Sequence, residues 1–275
     1  SLSSDPNSCV ILPPMSGNPT DHEPFVHLHV HSEFSLLDGL SRIKHLAARA
    51  AALNQPALAL TDHGTMFGVI PFYEACKAAG VKPIIGIETY VAARRMTDRD
   101  PQLDRERTHL LLLAADQTGY LNLLQLASSA QLDGYYYRPR IDLDVLAAHS
   151  DGLICTTGCM AADIPRAIGA GDMKRAHDLM GKYLDIFGPE RFFVELQEHS
   201  IPELTAINRV LVEDMAPRYG LRFLATNDVH YTTPQEASPH DVLLCIQTGA
   251  TVNDTKRMRF TDTGYYLKSR AEMAA

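Results

Sequence analysis

Residues 57–92, ALALTDHGTMFGVIPFYEACKAAGVKPIIGIETYVA, decide the fold. A short apolar run at 57–61 predicts a buried strand, and the spacing of apolar residues over 67–79 predicts a helix that ends at Gly80. A second apolar run at 83–92 predicts the next strand. A strand, a helix and a strand in this order predict two parallel strands covered by a helix.

The same alternation continues on both sides of this stretch. Five more strands are predicted, most of them followed by a helix, at 25–29, 108–114, 152–156, 191–197 and 221–226. Seven strands alternating with helices, without an evident reversal, predict an α/β fold: a distorted seven-stranded β/α barrel similar to a TIM barrel. We expect residues 1–24 to be a flexible leader or an upstream extension, and residues 25–275 to form one domain.

Composition limits the classes of function. The chain has 275 residues, a net charge of −8 and 45% hydrophobic residues. It lacks the apolar run of about 20 residues that a membrane span needs, so no membrane partner is expected. The acidic balance argues against a domain that grips nucleic acid by charge alone, but it is compatible with a nucleic acid delivered by a partner. Five thinly spread cysteines predict a reducing, cytoplasmic location without a disulfide framework.

Side chains that ligate metals fall at or near nearly every predicted strand end. They are His29, His31, Asp38, His63, Glu88, His109, Cys159, Asp228 and His230. A single histidine at a strand end is more often structural, so the prediction depends on their coincidence. Strand C-termini converge on one face of a barrel, and imidazole, carboxylate and thiolate bind borderline divalent metals. We therefore predict one shared metal centre at the C-terminal face of the strands.

The number and type of donors indicate the metals. Nine donors exceed the roughly four to six ligands of one ion, so two or three divalent ions fit better, with Glu88 as the bridging candidate. A thiolate among imidazoles and carboxylates indicates zinc at one position at least, and manganese, iron or magnesium is compatible with the rest. His109 begins its strand, which in an all-parallel barrel places it on the opposite face. Either that strand runs antiparallel after the charged loop at 94–107, which we expect, or its bounds differ from 108–114.

Three further groups are weaker candidates. Asp62, beside His63, is placed to orient a ligand from behind. Arg138 and Arg140 could hold a phosphate or be structural. His199 follows the sixth predicted strand on the active face and could contact a substrate.

Seven segments form a recognisable set: HLHVHSEFSLLDG at 27–39, LTDHGTMFG at 60–68, KPIIGIETYVA at 82–92, TTGC at 156–159, TNDVHY at 226–231, GYYYRPRID at 134–142 and YYLKS at 265–269. The first five together resemble the PHP (polymerase and histidinol phosphatase) domain family. Within it, the chain is most similar to the N-terminal PHP domain of the bacterial DNA polymerase III alpha subunit, a C-family replicative polymerase. The last two segments also resemble that subunit.

This resemblance implies a function and its residues. All nine donors named above would be metal ligands and catalytic groups of a 3′–5′ exonuclease, which removes misinserted nucleotides from a DNA 3′ end by metal-assisted hydrolysis. The resemblance also implies that the domain comes from a longer polymerase chain whose polymerase site lies elsewhere. That chain and the proofreading or clamp subunits of the replisome would be its partners.

Two alternatives stay open at this point. One is a free-standing PHP phosphatase that acts on small phosphate esters. The other is a structural module of the polymerase that binds metal without turnover. The two polymerase-like segments favour the exonuclease interpretation over the small-ester phosphatase.

Overall fold

A computed structural model describes residues 24–36, 38–260 and 262–275. The strands are β1 (Ala57–Leu60), β2 (Lys82–Ala92), β3 (Arg107–Ala114), β4 (Arg140–Ile141), β5 (Leu153–Thr156), β6 (Phe192–Leu196) and β7 (Arg222–Ala225). The α-helices are α1 (Ile43–Ala52), α2 (Val69–Ala79), α3 (Gln117–Leu132), α4 (Leu143–Ala148), α5 (Asp163–Gly169), α6 (Met173–Phe187), α7 (Pro202–Val210), α8 (Ala216–Tyr219), α9 (Ala237–Thr248) and α10 (Arg270–Ala274). Of the leader predicted at 1–24, residues 1–23 lie outside the described residues.

The seven strands of the described ranges form one curled, mixed sheet. Its order is β1-β2-β3-β5-β6-β7, and β4 pairs with β2. Strand β3 runs antiparallel to both of its neighbours, whereas the other pairs are parallel. The α/β half-barrel with helices confirms the predicted fold class, and the reversal of β3 confirms the direction expected for the strand of His109. The reversal arises because the loop after β2 returns the chain without a crossover helix.

The strand predicted at 25–29 is an extended segment instead. The His27 carbonyl accepts from the Ala59 N–H at 2.9 Å, and on the other side the His31 N–H donates to the Val229 carbonyl at 2.7 Å. Its β-pairing is limited to an isolated bridge between Val30 and Val229, so the prediction of a β-strand at 25–29 was wrong. The segment nevertheless lies between β1 and the residues after β7, where a strand would close the curl.

The other predicted elements are found with small changes. Helix α2 ends at Gly80, whose φ of +73° is the left-handed conformation predicted for a C-cap glycine. The helical region after β5 consists of α5 and α6, which are separated by Gly171 with a φ of +73°. Helix α7 continues through a π-helical turn, Leu211–Met215, into α8.

A small apolar cluster fixes the backbone on which the first histidines stand. Val30 packs with Leu46 of α1, Leu58 of β1, Phe72 of α2 and Val229, all of them buried. Full burial of one such side chain contributes about 1.5–3 kcal/mol. The extended segment is therefore anchored by packing as well as by hydrogen bonds, and this fixes where His29 and His31 lie.

A larger cluster fills the space between the remaining strands and helices α3–α8. Cys155 of β5 is buried in it, which agrees with a packing role. Among the described helices, none has the length and apolar character needed to cross a membrane.

Candidate metal centre

Glu88 of β2 is buried at the centre of the predicted ligands. Its Oε1 lies 3.4 Å from His29 Nε2, 3.0 Å from His109 Nδ1 and 3.3 Å from Cys159 Sγ. Strand β3 can deliver His109 to this point because it is antiparallel: Tyr90 of β2 faces His109 in the register. One carboxylate oxygen thus faces two imidazole rings and one thiol, which come from three separate parts of the chain.

The second oxygen of Glu88 faces two further histidines. Its Oε2 lies 3.4 Å from His31 Nε2 and 2.7 Å from His63 Nδ1. The rings of His31 and His63 stack with their centroids 4.1 Å apart. Glu88 therefore lies between two groups of donors, as expected for a bridging carboxylate.

The residues after β7 complete the other side of the cluster. Asp228 Oδ1 lies 3.3 Å from His29 Nε2 and 3.2 Å from His31 Nε2. Asp228 has a φ of +46°, a left-handed conformation that aspartate tolerates better than most residues and that often marks functional sites. The ring of His230 lies 4.4 Å from that of His31.

Asp38 lies at the edge of this cluster. Its Oδ2 is 3.3 Å from His63 Nε2. With Asp38, the structure brings all nine predicted residues into one connected group at one end of the half-barrel.

The inward-facing atoms are unsatisfied as they stand. Within the described residues, six buried atoms of the cluster make no hydrogen bond of normal geometry, although two of them, His63 Nδ1 and Glu88 Oε2, lie 2.7 Å apart: His29 Nε2, His31 Nε2, Asp38 Oδ1, His63 Nδ1, Glu88 Oε2 and Asp228 Oδ1. A buried polar group without a partner costs about 1–3 kcal/mol, and more if it is charged.

Three overlapping groups of donors are compact enough for a metal ion, with their ligand atoms within 4.8 Å of one another. They are His31, His63 and His230; His29, His31 and Glu88; and His63, Glu88 and His109. The donor set and its unsatisfied atoms therefore fit divalent cations.

Glu195 of β6 supports the cluster from behind and escaped the sequence analysis. Its Oε1 lies 2.7 Å from His29 Nδ1, so the opposite nitrogen of that ring faces the centre. The hydroxyls of Thr156 and Thr226 donate to the same buried carboxylate. The signal available in the sequence was the acidic residue within the otherwise apolar strand FFVEL. A charged side chain is buried in such a strand only when other groups hydrogen-bond to it or neutralise it.

Asp62 organises the opposite side through Ser35. The Asp62 carboxylate accepts from the Ser35 hydroxyl at 2.8 Å and from the Ser32 N–H at 2.7 Å. The Ser35 oxygen lies 3.1 Å from His31 Nδ1 and accepts from the His63 N–H at 3.0 Å. Through this network Asp62 orients two histidines without lying among the nine.

Neighbouring charges set the protonation of the cluster. Burial opposes a charge on His63, but Asp38 and Glu88 outweigh it and raise the pKa of His63 to about 9. Burial, assisted by His63, lowers the pKa of His31 well below its ordinary value. Burial and the nearby Glu88 raise the pKa of the Cys159 thiol well above its usual value. A cation that enters the site must therefore displace protons, in particular from His63 and Cys159.

The weaker candidates lie near the site but differ in availability. Arg140 is buried and donates to the main-chain oxygens of Gly134, Asp104, Met96 and Asp98. The interpretation of Arg140 as a phosphate ligand was therefore wrong, since its donors are used within the fold. His199 is buried and stacks on Tyr265 at 3.8 Å. Its contact with a substrate stays a prediction.

A curled α/β sheet gathers nine imidazole, carboxylate and thiol groups, all of types that ligate metal ions, at one end of a half-barrel. The chain belongs to the PHP domain family, whose model matches residues 27–199. The resemblance stated from the sequence is thereby confirmed.

Two curated relatives and one solved structure are similar to this chain. The chain is 46% identical over 255 residues to the DNA polymerase III subunit alpha of Thermus aquaticus. The matched region covers 91% of this chain and 21% of the relative. It is 43% identical over 251 residues to the subunit of the same name from Treponema pallidum, and this match also covers 91% of this chain and 21% of the relative. The chain thus spans about a fifth of the length of these relatives. A solved amidohydrolase structure from Chromobacterium violaceum is 17% identical, with a TM-score of 0.47, over 75% of this chain and 87% of that chain.

Proposed function

We propose that this chain is the PHP domain of a bacterial DNA polymerase III alpha subunit and that it hydrolyses phosphodiester bonds at a DNA 3′ end, as a metal-dependent 3′–5′ exonuclease. The observation that supports the metal chemistry is the set of unsatisfied buried atoms around Glu88. The similarity to two named polymerase subunits supports DNA as the substrate.

The nine clustered residues would hold two or three divalent ions, of which zinc, manganese, iron and magnesium are the candidates. Such ions, when bound, lower the pKa of a coordinated water and neutralise charge on the phosphate. The chain's own contribution is to fix the donors. Glu88 spans both groups of histidines, Glu195 orients His29, and Ser35 orients His31.

The first experiment measures metal content and nuclease activity together. The protein is loaded with zinc, manganese, iron or magnesium, freed of excess metal and given a primer with a mismatched 3′ nucleotide. We expect metal-dependent release of mononucleotides from the 3′ end. His63→Ala and Asp228→Asn proteins, purified in parallel, should lose bound metal and at least 100-fold of the activity, about 2.7 kcal/mol in barrier height. Full activity and full metal content in either variant would overturn the assignment.

Chromogenic phosphate esters separate the alternatives. Turnover of small esters without cleavage of the primer would favour a small-molecule phosphatase. Bound metal without hydrolysis of either substrate would favour a structural module of the polymerase.

Partners and location follow from the same proposal. The remainder of the alpha chain and proofreading or clamp subunits of a replisome are the proposed partners, because the curated relatives carry this region as a fifth of a longer chain. A cytoplasmic location is supported by the four described cysteines, all of which are free thiols.

A further inference from the structure

Four arginines lie together beside the candidate metal centre, two of them over the ring of Tyr90. The guanidinium carbons of Arg107 and Arg138 lie 6.0 and 5.9 Å from the centre of the Tyr90 ring. Arg166 Nη1 donates to the Arg107 carbonyl at 3.2 Å, and Arg107 Nη1 donates to the Arg105 carbonyl at 3.3 Å. These contacts join β3, the loop before it, the loop at 134–139 and helix α5 into one basic rim.

The positive charges of this rim are not neutralised by the fold. Within the described ranges, none of the four guanidinium groups has a carboxylate at salt-bridge distance, although the whole chain has a net charge of −8. Some other arginines are paired, as Arg94 is with Asp104 at 2.6 Å. Burial lowers the pKa of Arg107, and the surrounding arginines lower it further. Mutually repelling charges held together at one place indicate an anionic ligand.

The Tyr90 ring lies between the basic rim and the candidate metal centre. The Tyr90 ring lies 6.0 Å from that of His63 and 5.2 Å from that of His109. The antiparallel course of β3 places Arg107 opposite Ala92, at the end of β2 that leads away from Glu88. A bridge between His109 and residue 162 brings the start of α5, and with it Arg166, to the same edge. An anion on this rim would therefore adjoin whatever the metal centre holds.

Exposed aromatic rings extend the rim outward. Tyr135 and Tyr137 are 52% and 54% exposed, and the guanidinium of Arg105 lies 5.6 Å from the Tyr137 ring. Tyr137 has a φ of +60°, which is uncommon for a residue with a large side chain. Positive groups interleaved with exposed aromatic rings are the combination with which proteins bind single-stranded nucleic acid.

We propose that Arg105, Arg107, Arg138 and Arg166 bind the phosphates of a nucleic-acid single strand whose 3′-terminal phosphodiester enters the metal centre, with Tyr135 and Tyr137 stacking on its bases. This inference rests on the proposed function and specifies its substrate as a strand with several phosphates. A small phosphate ester, which has a single phosphate, would leave the rim unused.

Binding is tested without hydrolysis. A short fluorescent single-stranded oligonucleotide with a free 3′ end is titrated with protein in EDTA, and its anisotropy is recorded over a range of salt concentrations. The Arg107→Gln, Arg138→Gln, Arg166→Gln triple variant should bind at least tenfold more weakly. Its slope of log K against log salt should fall by about 2, since each lost phosphate contact on a single strand removes about 0.7.

The matched control is Arg209→Gln. Arg209 is exposed on α7 and, among the described residues, also lacks a carboxylate at salt-bridge distance. This variant should bind like the wild type. The single variant Arg166→Glu, at an exposed position, gives the same test if the triple variant is unstable, and it should weaken binding with an unchanged melting temperature.

The possible outcomes separate this inference from the proposed function. Wild-type binding that does not exceed that of the triple or Arg166→Glu variant overturns the inference, even if the protein degrades DNA. Weakened binding in these variants with normal binding by Arg209→Gln supports it, even if no nuclease activity is found. In an active enzyme, the supporting result also includes a raised KM for DNA with a smaller change in kcat.

Discussion

Glu195 shows how a residue outside the nine candidate ligands orients one of them. Its carboxylate holds His29 through Nδ1 at 2.7 Å, which leaves Nε2 facing Glu88 and Asp228. A carboxylate behind a ligating histidine fixes the tautomer and raises the basicity of the ring. Glu195 is itself fixed by threonine hydroxyls, so it has little freedom to adjust if His29 shifts.

The first prediction concerns Glu195→Gln. This change keeps the size of the side chain but removes the negative charge behind His29, so metal affinity should fall by about 10–100-fold. Competition against a chromophoric chelator measures the affinity. Glu190→Gln is the control, because Glu190 is 85% exposed and pairs with Arg222. Equal affinity in the Glu195→Gln and wild-type proteins would contradict the role of Glu195.

The second prediction concerns the pH dependence of metal binding. Without metal, the pKa of His63 is raised to about 9, because Asp38 and Glu88 outweigh the effect of burial. Since His63 is protonated below that pH and only the neutral ring can ligate, affinity should increase with pH between 7 and 9. The Cys159 thiol, whose pKa is raised well above its usual value, should continue the increase at higher pH. Calorimetry in buffers of different ionisation enthalpy should show proton release on metal binding at pH 7. Affinity that is flat between pH 7 and 9, without proton release, would contradict the protonated state of His63.

At the scale of elements, two glycines in helical contexts have opposite roles. Gly80 ends α2 with a φ of +73°, whereas Gly181 lies inside α6, and an added Cβ would meet no described atom within 4 Å at either position. Backbone conformation alone therefore separates the two positions. A residue with a Cβ loses about 1–2 kcal/mol in the left-handed conformation and gains about 0.5–1 kcal/mol over glycine inside a helix.

The third prediction follows from this pair. Gly80→Ala should lower the free energy of unfolding by about 1 kcal/mol, and Gly181→Ala should raise it by about 0.5–1 kcal/mol. Chemical denaturation of both variants beside the wild type measures the difference. The two changes are the same in chemistry, so a shift of the same sign in both variants would contradict the conformational explanation.

Elements that depend on neighbouring residues in the sequence could be predicted, and elements that depend on contacts with distant parts of the chain could not. The β1-α2-β2 unit depends on apolar runs and a C-cap glycine that lie within 36 residues of one another in the quoted stretch. The extended segment at 27–31 has the composition of a strand, but it gains its partners Ala59 and Val229 only through the closure of the sheet. The two-residue strand β4 exists because Tyr90 and Val91 offer it an edge, which no local pattern reveals.

The candidate site divides in the same way. The nine donors could be selected because histidine, acid and cysteine residues at apolar strand ends are conspicuous in the sequence. Glu195 was missed because a single acid within a strand does not reveal that three distant side chains surround it. The arginines of the rim were mostly missed because their proximity depends on the reversal of β3 and on the bridge from His109 to α5.

At the scale of the whole molecule, the cluster links parts of the chain that the sheet alone holds weakly. His29 and His31 stand on a segment that has only isolated pairing, while Asp228 and His230 follow the last strand. His29 and His31 contact Glu88 of β2, and Asp228 contacts the same two histidines. Ions bound there would close the half-barrel across its least paired edge, so metal binding should contribute to the stability of the fold.

The fourth prediction is that removing the metal destabilises the entire domain. A ligand at 100 times its Kd stabilises the folded state by about 2.7 kcal/mol, and for a chain of this size 1 kcal/mol corresponds to roughly 2–4 °C in Tm. A chelator should therefore lower the Tm of the metal-loaded protein by about 5–10 °C, and added metal should restore it. The Glu88→Gln variant, which lacks the central carboxylate, should show a Tm that is insensitive to the chelator. If elemental analysis shows that the wild type has lost its metal and its Tm is unchanged, the cluster does not close the fold, and the nine donors act in a site that the apolar clusters and backbone hydrogen bonds hold without it.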